Sequence, residues 1–122
     1  MIRKVNLENA FGSFEDTWSP RVAADVNGMQ VKLAKLDGEF VWHHHEAEDE
    51  LFLVTAGRLR MELRDQDDLV LGPGEMCVIP RGIEHRPVAE EPTEVLLFEP
   101  STTLNTGNVT DERTVQSPDR LE

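Results

Sequence analysis

A chain of 122 residues is the length of one domain built on a single core. Its 12 Lys and Arg against 24 Asp and Glu leave a net charge of −12, which argues against nucleic acid or anionic lipid as partners, because both need a basic surface. One Cys cannot close an internal disulfide, no apolar run is long enough to span a bilayer, and the start Met1-Ile2-Arg3-Lys4-Val5-Asn6 has no apolar leader, so a cytoplasmic location is expected.

Residues 1–20 scatter Phe11, Phe14 and Trp18 without a clean period and end on Ser19-Pro20. They read as an N-terminal arm that lays aromatic rings on the body of the protein or on a partner subunit. From Arg21 the alternation becomes strand-like. Val22, Ala24 and Val26 lead into Asn27-Gly28, a two-residue hairpin signal, and Met29, Val31 and Leu33 continue beyond it. The alternation slips at Ala34-Lys35-Leu36, which predicts a bulge, and Asp37-Gly38 reads as a second tight turn.

Residues 40–45 place Val41, His43 and His45 on one face by period two, and Phe40, Trp42 and His44 on the other. The acidic run Glu46-Ala47-Glu48-Asp49 reads as a solvated turn, and Glu50 opens the next strand. In that strand Leu51, Phe52, Leu53 and Val54 make both faces apolar. An antiparallel strand is polar outside unless something covers it, so a homodimer contact near these residues, Phe40 and Trp42 is expected.

Leu59, Met61 and Leu63 alternate with Arg58, Arg60, Glu62 and Arg64 in a half-exposed strand. Asp65-Gln66-Asp67-Asp68 reads as a loop, Leu69–Leu71 as a short strand, and Met76–Ile79 as another that stops at Pro80. Val95–Phe98 is the last clear strand. Residues 21–100 therefore read as an antiparallel sandwich or barrel, and residues 101–122 as a polar C-terminal extension.

Two imidazoles at i and i+2 on one face, His43 and His45, reach a common point. Glu50 and His85 are placed at strand ends where they can join them. Three His and one Glu form a ligand set suited to one divalent transition metal ion: Fe, Mn, Ni, Zn or Cu. Inward-facing Val41, Phe52, Val54, Leu59, Met61 and Leu63, with Met76 or Val78, would wall a small apolar pocket. Cys77 reads as a small buried hydrophobe, and Arg81 and Arg86 as surface residues that could instead hold an anionic ligand group.

These residues resemble the cupins. The family's first motif matches Gly38, His43, His45, Glu50 and Gly57, with one residue fewer between Gly38 and His43. The second matches Gly74, Pro80, Gly82 and His85, with Ala89 where the family carries Asn. The likeness is to small single-domain members of the mannose-6-phosphate isomerase-like, cupin-2 type. It implies an all-β antiparallel double-stranded β-helix, a jelly roll, with His43, His45, Glu50 and His85 as ligands of one metal inside the barrel. Metal-assisted oxygenation or isomerisation of a small oxygen-rich molecule, dioxygenase-like chemistry among them, is then expected. The other reading is a non-catalytic module that binds a small sugar-like ligand. The absence of Tyr makes the Tyr-dependent sugar-nucleotide epimerases of this fold a poor match.

Overall fold

The computed structural model describes residues 2–121. A short helix, α1 (Leu7–Phe11), precedes seven strands: β1 (Arg21–Val26), β2 (Met29–Glu39), β3 (Glu50–Ala56), β4 (Leu59–Leu63), β5 (Gln66–Leu71), β6 (Met76–Ile79) and β7 (His85–Pro100). Neighbours run β1-β2-β7-β3-β6, with β4 pairing both β5 and β7, and every pairing is antiparallel. The first part of β7 pairs with β4 and its second part with β3. That one long strand therefore joins the two sides of an all-β jelly roll. No helix among the described residues is long and apolar enough to cross a membrane.

The Asn27-Gly28 hairpin forms as its sequence requires, with both residues at positive φ and Val26 paired to Met29. Asp37-Gly38 does not turn the chain. It lies inside β2, and the register shift between Leu36 and Gly38 places there the bulge expected at Ala34–Leu36. The expected loop at Asp65–Asp68 is also shorter, because β5 already begins at Gln66. Val95–Phe98 is the second part of β7 rather than a strand of its own.

Both faces of β2 are covered, which is why its hydrophobic pattern reads as broken. Lys32, Ala34 and Leu36 are buried on the face that meets the cavity wall and the main core. On the other face, Leu33 is fully buried against Phe11, Phe14 and Ala23. The arm thus lies along the outside of the sheet for residues 11–14. At Trp18 it turns inward, with positive φ. Trp18 is held there by its N–H to Lys35 O (2.8 Å) and its indole Nε1–H to Asp37 O (2.9 Å). A left-handed aromatic residue persists only where its surroundings over-determine it.

The two-sided apolar strand β3 resolves into an inner row and an outer row. Glu50, Phe52 and Val54 are buried, while Leu51 and Leu53 are half-buried on the outer face. Their outer neighbours on β6, Val78 and Met76, are 51% and 58% exposed. These two therefore do not wall the interior as expected. The edge strand β6 turns them out to solvent.

Candidate metal centre

The His-rich segment is not a regular strand. β2 ends at Glu39, and between Phe40 and Asp49 only His43 joins a β-bridge, to His85. The bridge is reciprocal: His43 N–H donates to His85 O (3.0 Å) and His85 N–H donates to His43 O (2.9 Å). It sets the two imidazoles with centroids 4.4 Å apart. Because the segment is irregular, period two fails for its aromatics. Phe40 is buried beside His43 at 5.4 Å, edge to face, rather than on the opposite side. Trp42 stays at the surface under the Arg64 and Arg86 guanidiniums.

His43, His45, Glu50 and His85 are all buried, and one ligand atom from each lies within 4.8 Å of all the others. Ligand atoms about 2.0–2.2 Å from one ion lie at most about 4.4 Å apart, so only small side-chain adjustments separate this spread from a common cation. The ring orientations are fixed from behind. His43 Nδ1–H donates to Val41 O and His85 Nδ1–H to Ile83 O, both at 2.9 Å, which leaves each Nε2 with its lone pair. His45 Nε2, His85 Nε2 and Glu50 Oε1 have no hydrogen-bond partner although they are buried, and the carboxylate oxygen lies 3.3 Å and 3.5 Å from the two nitrogens. Buried donors and acceptors normally find partners. Three unpaired ones aimed at each other fit a cation between them.

The electrostatics agree. Burial, with the neighbouring His85, pushes the His43 imidazole down to about 4, so it is neutral and able to ligate near pH 7. Burial alone would raise the Glu50 carboxyl, but the facing His45 and His85 rings outweigh it and hold Glu50 well below the usual range. Three imidazoles and one carboxylate suit a divalent ion.

His43 and Glu50 also border a cavity of about 440 Å³, counting its open mouth. Its wall is apolar: Trp18 and Phe40, stacked at 4.5 Å, with Leu36, Phe52, Val95 and Leu97. Of the wall expected from the sequence only Phe52 lines it. Val54, Leu59, Met61 and Leu63 are buried in the core beyond, and Val41 packs on that core half-buried. Two polar residues missed at the sequence level, Glu99 and Asn105, complete the lining. Glu99 was legible in one respect: it continues the inward row Val95, Leu97 of β7 with a charge.

The C-terminal extension closes over this end. Asn108 pairs with both the N–H and the C=O of His44, at 2.8 Å and 3.0 Å. Gly107 sits so close that a Cβ would run into His44 O. Arg81 and Arg86 lie outside the cavity. Arg86 is held by Glu62 and Glu39, and Arg81 is exposed. Burial first, then the Glu50 charge, pushes the half-buried Cys77 thiol up to about 11, which is no nucleophile's value.

Residues 29–99 match the family described as the cupin domain. The chain belongs to the cupins. It is similar to a cupin-2 domain containing protein of Shewanella frigidimarina NCIMB 400, at 47% identity over 79% of this chain and 93% of that one, with a TM-score of 0.76. It is also similar to the uncharacterized protein YdbB of Bacillus subtilis, 41% identical over 63 residues; that match spans 52% of this cupin and 56% of YdbB, about half of each. The hydroquinone 1,2-dioxygenase of Sphingomonas sp. TTNP3 shares the fold with a TM-score of 0.72, at 18% identity over 80% of this chain and 32% of that one.

Proposed function

We propose that His43, His45, Glu50 and His85 hold one divalent transition metal ion, and that this cupin uses it on a small oxygen-bearing molecule by oxygenation or isomerisation. The reading is carried by the three unpaired buried atoms, His45 Nε2, His85 Nε2 and Glu50 Oε1, at the edge of an apolar cavity. A bound ion would polarise a ligand oxygen or acidify a water. The chain supplies a dry wall, rings locked by Val41 O and Ile83 O, and a carboxylate kept ionised.

The cavity lining favours oxygenation over a mannose-6-phosphate isomerase-like reaction. A phosphosugar needs cationic donors, and among the described residues no Lys or Arg lines the space. The Lys32 ammonium behind the wall is taken by Glu99 at 2.7 Å. The alternative is a binding module that captures its ligand without turnover. It is favoured by how few polar groups, Glu99 and Asn105, line the wall beyond the cluster. The test is oxygen uptake and product mass with iron- or manganese-loaded protein, over a panel of small phenols, diols and hydroxycarbonyl compounds, with and without chelator. Turnover abolished by chelator and restored by metal supports the enzyme. A ligand bound unchanged supports the module, and the absence of both turnover and binding contradicts both readings.

A second copy of the chain is proposed to cover the outer stripe of Leu51, Leu53, Met76 and Val78. These four lie side by side across β3 and β6. On a surface with net charge −12 an uncharged stripe is where two copies approach with least repulsion.

A further inference from the structure

Glu99 is 1% exposed, and its partner Lys32 is equally buried. Glu99 Oε2 accepts from Lys32 Nζ at 2.7 Å, and the same ammonium reaches Thr103 O at 3.4 Å. The other oxygen, Oε1, has no hydrogen-bond partner, and Glu99 borders the apolar cavity together with Glu50 and His43. A buried ion pair is weak evidence for stability, because well-packed apolar residues commonly replace one at no loss. Leaving a carboxyl oxygen unpaired beside an apolar space adds a further cost. One oxygen is clamped from behind, and the other is left without a donor where the Glu99 carboxyl meets that of Glu50 at the cavity's border, so a hydroxyl that enters can supply one.

We infer that Glu99 is the polar anchor of the cavity, taking on Oε1 a hydroxyl of a small, neutral, otherwise apolar ligand. The chemistry of the wall sets the class. Trp18, Phe40 and Phe52 suit a planar or compact apolar body, and the absence of Lys and Arg in the lining disfavours an anionic one. Lys32 is the positioning residue: its ammonium holds the carboxyl in one orientation. The ligand class deepens the metal-bearing pocket proposed above and rests on it. The anchoring role rests on the Lys32–Glu99 geometry itself.

The test uses zinc-loaded full-length protein with phenol and its methyl ether, anisole, as probes, read by calorimetry or by quenching of Trp fluorescence. Wild type is expected to bind phenol about three- to tenfold tighter than anisole, the range of one hydrogen bond. Glu99→Gln keeps a single oxygen, which Lys32 claims, and leaves its amide NH2 to the cavity, where the oxygens of phenol and anisole accept alike, so it is expected to lose most of that preference. The paired variant Lys32→Met with Glu99→Leu leaves no stranded charge and is expected to lose the preference while keeping its melting temperature and its zinc stoichiometry. Equal binding of the two probes by wild type, no phenol binding at all, or a preference that survives in the paired variant overturns the inference. Zinc titration separates the two claims. A chain that takes up no zinc yet prefers phenol in this Glu99-dependent way refutes the metal reading and upholds the anchor.

Discussion

His43 and His85 are joined through their backbones, each donating its N–H to the other's carbonyl, at 3.0 Å and 2.9 Å. Forty-two positions apart, they are one structural unit before any ligand is considered, and their side chains have little freedom to separate. Glu50 is set against them by a different pairing, that of β3 with β6, where it lies opposite Ile79. The cluster is thus held by the sheet rather than by the ion it would bind, so the metal-free protein is expected to stay folded.

That metal-free protein should be acid-sensitive. An unfolded imidazole titrates near 6.5, while burial holds folded His43 to about 4. Between those values the unfolded chain binds a proton that the folded one does not. Stability therefore falls as pH falls through this window, by roughly 3 kcal/mol for a shift of that size. Burial and the neighbouring Glu50 push the Glu99 carboxyl up, and its titration opposes this trend, so urea denaturation of metal-free Glu99→Gln protein at pH 7.5 and pH 4.5 checks the His43 effect; equal midpoints would contradict it.

Cys77 should be nearly inert. With its thiol raised from 9.0 to about 11, the thiolate fraction near neutral pH drops roughly a hundredfold against an ordinary cysteine. Iodoacetamide labelling at pH 7.5, followed by mass spectrometry, is expected to be that much slower than labelling of the urea-unfolded chain. Comparable rates would show a reactive thiol.

The strap over the site should depend on Gly107. A Cβ there meets the backbone oxygen of His44, which cannot swing aside, and φ is positive. Gly107→Ala is expected to cost about 1–3 kcal/mol. Thermal melts should show the loss, and calorimetry should show weaker metal binding as His44 and its neighbour His43 are displaced. An unchanged melting temperature would mean that the strap does not bear on the site.

Much of this fold could be read from the residues, and so could the grouping of His43, His45, Glu50 and His85. The period-two rows of β3 and β4, the Asn27-Gly28 turn and the polar interruptions marked the strands. His43, His45, Glu50 and His85 stood out because four such side chains are rarely placed in otherwise apolar alternation. What escaped had two causes, contact with distant chain and loss of regular strand geometry. The face of Leu33 is shielded by Phe11 and Phe14, so β2 reads as irregular although only Asp37-Gly38 is. Period two puts Phe40 on the wrong side because the chain leaves regular strand geometry after Glu39. Lys32 and Glu99, 67 positions apart, each resemble an ordinary solvated charge until β2 and β7 bring them together.

The outer stripe makes the oligomer testable. Replacing exposed Met76 and Val78 together by Glu should leave the monomer fold intact, since neither side chain enters the core. Light scattering is expected to give twice the chain mass for wild type and the single-chain mass for the variant. A monomeric wild type would contradict the proposed contact.

Metal uptake by the untagged protein, titrated by calorimetry with zinc against His85→Ala, tests the central claim most directly. One ion per wild-type chain, with affinity at least tenfold lower in the variant, is the expected result. A wild-type chain that binds no ion, or a variant that binds as tightly, would contradict it.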